Sequence, residues 1–396
     1  GAGAAGIAAT RCLVDAGVDA LLIEARDRLG GRAHTVEAGG YPIDLGCGWL
    51  HSADRNPWTQ IAATLGFAID RTPPPWQNHD LGLSRSEREE YRAALNDFWK
   101  RLEAAGNEGT DRPASDLLVP GARWNNLVDA TSTYINGAEL DRVSTLDLAR
   151  YDDTGVNWRV ADGFGTAIAR YGRDLPVRLN CPVANVDHSG PQIRIETPYG
   201  VIRTGAVIIT VSTDVIAAGS IRFTPDLPDK REAAERIPLG NAEKVFLRIE
   251  GAEDLPKGVR FFGSKDRVGT GSYHLRPFGR PVIEGYFGGR FARDLQKAGE
   301  AEMAAFAIEE IASVLGARTA GRLQLIRGSA WASDPFALGS YSHALPGHAD
   351  ARATLAAPID DRIFFAGEAC SPHDFSTAHG AYETGVAAAR AFLVSR

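Results

Sequence analysis

GAGAAGIAATRCLVDAGVDALLIEARDRLGGR, residues 1–32, is the stretch whose order of elements decides the fold. Gly1, Gly3 and Gly6 open a run of small residues suited to a closely packed helix, and Gly17 is placed to stop it. The apolar run VDALLIEA reads as the next strand and ends at Glu24, 18 residues after Gly6. Glycine turn, helix, strand and acid in that register describe a βαβ unit built to bind a dinucleotide. Gly1 permits the tight turn, Gly3 lets a pyrophosphate approach the backbone, and Gly6 lets helix and sheet touch. The helix start offers free N–H groups to the anion, and Glu24 stands where an acid takes the ribose hydroxyls. The chain opens inside this turn, so the strand expected ahead of it is not part of the sequence.

At 396 residues the chain exceeds a single ordinary core, and two domains or one large interrupted one are expected. Hydrophobic residues at 44% and charged residues at 23% exclude disorder, a collagen-like fibre and a membrane bundle. The charge balance is −7 and no Lys/Arg-rich run tracks a phosphate backbone, so nucleic acid is not an expected partner. Cys12, Cys47, Cys181 and Cys370 lie far apart without a CxxC spacing. Neither a metal site nor a disulfide framework follows from them, and a reducing, cytoplasmic compartment is expected.

Further signals extend the first. EARDRLGGR places two glycines ahead of Arg32, a fixed fork of donors suited to a diphosphate. With PIDLGCGWLH (residues 42–51) it resembles the opening of the flavin-dependent amine oxidases: monoamine oxidases, polyamine oxidases and histone lysine demethylases. The resemblance implies FAD rather than NAD. It puts the ribose on Glu24, the diphosphate beside Arg26, Gly31 and Arg32, and the flavin against Gly46, Gly48 and Trp49. His51 follows that turn and either reaches a substrate pocket or is an ordinary hydrogen-bonded histidine.

The breaker cluster TPPPW (residues 72–76) precedes a predicted amphipathic helix over 84–105, with a capping box at Ser84 and Glu87. Residues 73–157 read as a mostly helical insertion. From Val160 the chain returns to helix and short alternating strands, where the resemblance sets the backbone of Val183 against the adenine. IPLGNAEKV then runs from a turn at Gly240 into a strand. Alternation places Lys244, Phe246 and Arg248 on one face, which need not be core, and Val245, Leu247 and Ile249 on the other. By itself Lys244 reads as a solvated strand lysine; the resemblance makes it the lysine bridged through water to flavin N5. Residues 299–316 form a packing helix.

Near the end, WASDPFALGSYSHALPG (residues 331–347) resembles the stretch that crosses the flavin face. Trp331 then packs by flavin and substrate, and Tyr341 flanks the substrate nitrogen, where an electron-rich ring holds an amine. Ser340 stands where monoamine oxidases carry the cysteine bonded to the flavin, so the FAD is expected to be non-covalent. RIFFAGEACSPHDFSTAHGAYETGVAAARAFL closes with a strand, a loop and a helix starting near Thr377, whose positive end suits a reduced flavin. Gly367 and Glu368 fall by the ribityl chain, and Thr377 and Ala378 by the pyrimidine edge. Ala381 takes the register of a second cage tyrosine, with Tyr382 one step on, so a two-tyrosine cage is not expected.

The expected fold is α/β: a discontinuous Rossmann-like FAD domain (1–72, 158–235 and 325–396) and a substrate domain of mixed sheet and helices (73–157 and 236–324). The expected reaction is oxidation of an amine C–N bond by hydride transfer to flavin N5. The imine hydrolyses to a carbonyl compound, and O2 reoxidises the flavin to give H2O2. A small amine and O2 are the expected partners, a homodimer is a further expectation, and no apolar anchor follows Arg390. Two alternatives stay open: an L-amino acid oxidase, which a pocket arginine beside Tyr341 would favour, and a catalytically inactive flavin-binding interaction protein. No carboxylate pair announces a polyamine, and no arginine is singled out for a carboxylate.

Overall fold

The computed structural model describes residues 1–77 and 81–395. The N-terminal helix runs over Ala4–Asp15, with Gly17 at positive φ just past its end, as expected. It lies against the C-terminal helix Ala378–Val394 so closely that a Cβ on Gly385 would come within 2.2 Å of the Ala5 carbonyl oxygen. The first and last elements of the chain therefore share one core with Trp58, Phe164, Ile168 and Phe364.

Two parallel strand pairs flank this helix start: Leu22–Ile23 with Val177–Arg178, and Val207–Ile209 with Ile363–Phe365. Gly1 sits by both, accepting from Thr210 Oγ1 at 2.9 Å, while Ala2 N–H donates to Glu24 at 2.6 Å. The strand expected up to Glu24 is only two residues long. A mixed four-stranded sheet over residues 185–224 covers this side.

The middle of the chain is helical as expected. Ser84 caps Arg85–Glu108 with the complete capping box, and Asn125–Asn136 follows. Next comes a five-stranded sheet, antiparallel throughout: Ala242–Ile249, Val259–Phe262, Ser272–Leu275, Val282–Gly288 and Leu323–Gly328. One face of it is dry core. Val245, Leu247, Phe261, Tyr273, Ile283 and Phe287 meet Met303, Ala307 and Ile311 of the helix Glu300–Leu315. Burying several such side chains contributes roughly 2 kcal/mol each, so this sheet is a rigid floor for whatever its other face carries. Among the described residues no helix is long and apolar enough to cross a membrane.

Candidate active site

The register of the five-stranded sheet sets two rows on its second face. One is Lys244, Tyr286, Ser272 and Phe262; the other is Phe246, Glu284, His274 and Arg260. The alternation read from the sequence is right in phase but not in exposure. Lys244 and Phe246 are 5% and 3% exposed, and only Arg248 meets solvent. Ile43, Leu45 and Trp331 close over the lysine side.

That face forms part of the wall of a cavity of about 1080 Å³. Its other walls come from the first turn, the 42–51 segment, the helices Arg85–Glu108 and Asn125–Asn136, and the loops around Ser340, Glu368 and Thr377. Of the residues singled out in the sequence, Gly1, Gly3, Glu24, Arg26, Gly31, Arg32, Gly46, Gly48, Trp49, His51, Val183, Lys244, Trp331, Tyr341, Gly367, Glu368, Thr377 and Ala378 all line it. Gly6 does not. It works beneath the wall: a Cβ there would stand 1.9 Å from the Gly1 carbonyl oxygen, so its role is helix contact, as its spacing first suggested.

The end of the cavity near Gly1 fits a dinucleotide. No side chain caps the first turn of the N-terminal helix, so its N–H groups keep their capacity for an anion. Gly367, at φ 144°, has nothing within 4 Å of where a Cβ would stand, which leaves room for a ligand against the backbone. Arg32 donates to the Ser340 carbonyl at 2.7 Å and pairs with Glu368 at 2.8 Å, while Arg26 is held by Asp334 at 2.5 Å. Glu368 also accepts from Ser342 Oγ at 2.6 Å and Ser376 N at 2.9 Å. Burial raises its pKa, but Arg32, Ser342 and Arg352 outweigh that and hold it below the usual carboxylate range. The C-terminal helix starts at Ala378 with Thr377 as its cap, donor Gly380 N–H at 3.0 Å, so its start meets the cavity where expected.

At the other end Lys244 Nζ donates to the Asp44 carbonyl at 3.0 Å and pairs with Glu284 at 3.1 Å. Arg159 holds the second oxygen of Glu284 at 3.0 Å. Burial works against the Glu284 charge, yet Arg159 and Lys244 pull its pKa down to about 2. Tyr341 is joined by Tyr286, hydroxyl to hydroxyl at 2.8 Å, and donates to the Tyr134 carbonyl at 2.6 Å. The partner of Tyr341 thus comes from the sheet, through its hydroxyl. Ala381 lines the cavity, and Tyr382 packs on Trp58 instead.

Trp331 is fixed by its indole N–H to the Leu45 carbonyl at 2.9 Å, and Trp49 meets Trp76 edge-on at 4.5 Å. His51 shows both of its readings at once: Nδ1 bonds Asn157 Oδ1 at 2.6 Å, while the ring lines the cavity and burial lowers its pKa. Burial also pushes the Cys47 thiol up to about 12, which removes it as a nucleophile.

Sequence reading missed Glu284, Arg159, Tyr286 and Arg260. Each lies in a strand or strand edge whose neighbours are apolar (WRV, VIEGYFG, VRFF), and a charge inside such a run was the available signal for Arg159, Arg260 and Glu284, while Tyr286 offered none. Ser340 is buried with its hydroxyl on the Gly240 carbonyl at 2.8 Å.

Comparison with known proteins agrees with this geometry. A family model described as flavin containing amine oxidoreductase matches residues 4–393. Polyamine oxidase 2 of Arabidopsis thaliana is 28% identical over 98% of this chain and 86% of its own length. A rice (Oryza sativa subsp. japonica) lysine-specific histone demethylase 1 homolog 2 is 27% identical over 99% of this chain and 56% of its own. The solved structure of cyclohexylamine oxidase from Brevibacterium oxydans superposes with a TM-score of 0.82 at 22% identity, covering 100% of this chain and 98% of that one.

Proposed function

The chain belongs to the flavin containing amine oxidoreductases, and from that premise we propose how its own residues oxidise a small amine at the carbon bearing nitrogen. It is an FAD-dependent enzyme. The bound flavin supplies a two-electron acceptor for the hydride equivalents leaving that carbon; everything else falls to the protein.

Tyr341, oriented by the Tyr286 hydroxyl and the Tyr134 carbonyl, offers its ring to the substrate nitrogen. Trp49, Trp76, Tyr134 and Trp331 wall the chamber and keep water from the imine until release. Neutral His51, with Nδ1 engaged by Asn157, leaves Nε2 to take the proton that an alkylammonium must shed. Lys244, held between Asp44 and Glu284, orients a water and governs proton traffic at the flavin. With Ser340 in place of a cysteine, the FAD is held without a covalent bond. O2 is the electron acceptor in this reading, with H2O2 as its product.

The observation that carries the proposal is the single cavity joining the uncapped glycine turn to the Lys244–Glu284 and Tyr286–Tyr341 pairs. Anaerobic mixing of the yellow holoenzyme with primary, secondary and polyamines tests it. Bleaching of the flavin band near about 450 nm by at least one class is expected; a band that no amine bleaches sinks the proposal.

A further inference from the structure

Arg260 is a cation in the cavity wall that the scheme above leaves unused and that, among the described residues, has no ion-pair partner. It projects from the strand Val259–Phe262 on the same sheet face as Lys244. Its Nε donates to Ser272 Oγ, and its guanidinium carbon lies 5.5 Å from the Tyr134 ring and 5.1 Å from the Phe262 ring. Among the described residues no carboxylate comes within ion-pair distance of it, and neither terminal nitrogen has a hydrogen-bond acceptor. Burial pushes its pKa down, with only tyrosines working the other way.

Most other charges of the cavity are committed, Arg150 among them to Asp350 at 2.8 Å. Glu284 serves Lys244 and Arg159, Glu368 serves Arg32, and Glu24 serves the Ala2 and Arg26 N–H groups. Glu103 lines the cavity from an exposed position on the helix Arg85–Glu108. A half-buried guanidinium whose planar pair of terminal donors is left free at the cavity wall favours an anion to complete it, and its fork matches a carboxylate.

Position narrows the partner. Arg260 and Tyr286 lie on strands separated by one other strand, roughly 10 Å at ordinary strand spacing. The Tyr134 ring bridges part of that gap, 6.2 Å from Tyr286. An α-amino acid carries its carboxylate on the carbon to be oxidised and cannot span this distance. We propose that Arg260 recognises a carboxylate at the far end of the substrate, so that the enzyme takes ω-amino acids and similar amines with a remote anion in preference to polyamines. This rests on the reading that the amine is oxidised beside Tyr341 and Lys244.

Binding tests the site independently of turnover. Caproate raises the melting temperature of the wild-type holoenzyme, and hexanol, of the same length without charge, does so far less. Arg260→Gln loses the caproate effect, while Arg260→Lys keeps part of it. Equal protection by hexanol, or undiminished caproate binding in Arg260→Gln, overturns the proposal; the hexanol comparison holds even if the variant fails to fold.

Anaerobic flavin reduction then compares hexylamine, hexamethylenediamine, ε-aminocaproate and norleucine. ε-Aminocaproate is expected to have the highest kcat/KM. Its advantage over hexylamine falls by about tenfold or more in Arg260→Gln, the scale of a lost charge-assisted hydrogen bond. Norleucine or the diamine ranking first overturns the remote-carboxylate assignment while leaving amine oxidation intact. Caproate binding without reduction by any amine overturns the oxidation reading instead.

Discussion

Glu284 stands between two cations, 3.1 Å from Lys244 and 3.0 Å from Arg159, all three side chains 7–8% exposed. A buried triad of this kind is held by mutual compensation: each charge is tolerable because of the others.

Glu284→Gln therefore leaves two buried cations facing a neutral amide. A stability loss of about 3 kcal/mol is expected, read as a lowered urea midpoint of the holoenzyme. A variant as stable as the wild type would show that Lys244 and Arg159 find other anions.

Lys244→Met keeps FAD, because the dinucleotide end of the cavity is untouched. Its turnover falls on the order of a hundredfold or more, the scale of a lost proton-transfer group. Stopped-flow measurement of flavin reduction and of reoxidation by O2 assigns the loss to one half-reaction; unchanged rates in both remove the lysine from the chemistry.

Glu243, next to Lys244, points into a different environment, accepting from Ser329 Oγ at 2.5 Å and Trp331 N at 2.7 Å. Burial raises its pKa to about 7 despite those donors. A carboxyl whose folded pKa is raised contributes stability below its unfolded value of about 4.5, and that contribution is lost as pH climbs through 7. Buried His274, lowered by burial and Arg159 from 6.5 to about 4, has the opposite slope, losing stability as pH falls from 6.5 to 4. Glu243→Gln removes only the first. Its stability relative to wild type should rise between pH 5 and pH 7.5, measured by urea unfolding at constant salt; parallel pH profiles would count against the raised pKa.

Gly6→Ala drives a methyl group onto the Gly1 carbonyl. The helix must shift, costing about 1–3 kcal/mol, and the purified variant should carry less FAD per chain by absorbance. Full loading at wild-type stability contradicts the contact.

Acid precipitation of the holoenzyme should leave all of the yellow colour in the supernatant, as intact FAD by chromatography. Flavin retained in the pellet would refute a non-covalent link.

Much of the cofactor end was legible in the sequence because its demands fall on backbone: glycine spacing, a helix cap at Thr377 and an acid closing a short strand are local features with fixed offsets. Lys244 was legible only through resemblance. Its partners were not, since Glu284 lies 40 residues away and meets it through strand pairing, which no local pattern specifies. The same holds for Tyr286, whose hydroxyl meets that of Tyr341 from 55 residues away. Exposure of the lysine face was misjudged because period-2 alternation reports only which side a residue faces; here the opposite side is core as well.

The cofactor cavity draws walls from Gly1 and Gly3 and from Thr377 and Ala378. During synthesis the glycine turn is made long before Thr377 and Ala378, so it waits for those distant residues to complete its wall. Vitamin-derived nucleotide can thus be captured firmly only once both segments exist, and its arrival locks residues far apart in the sequence into one another's keeping.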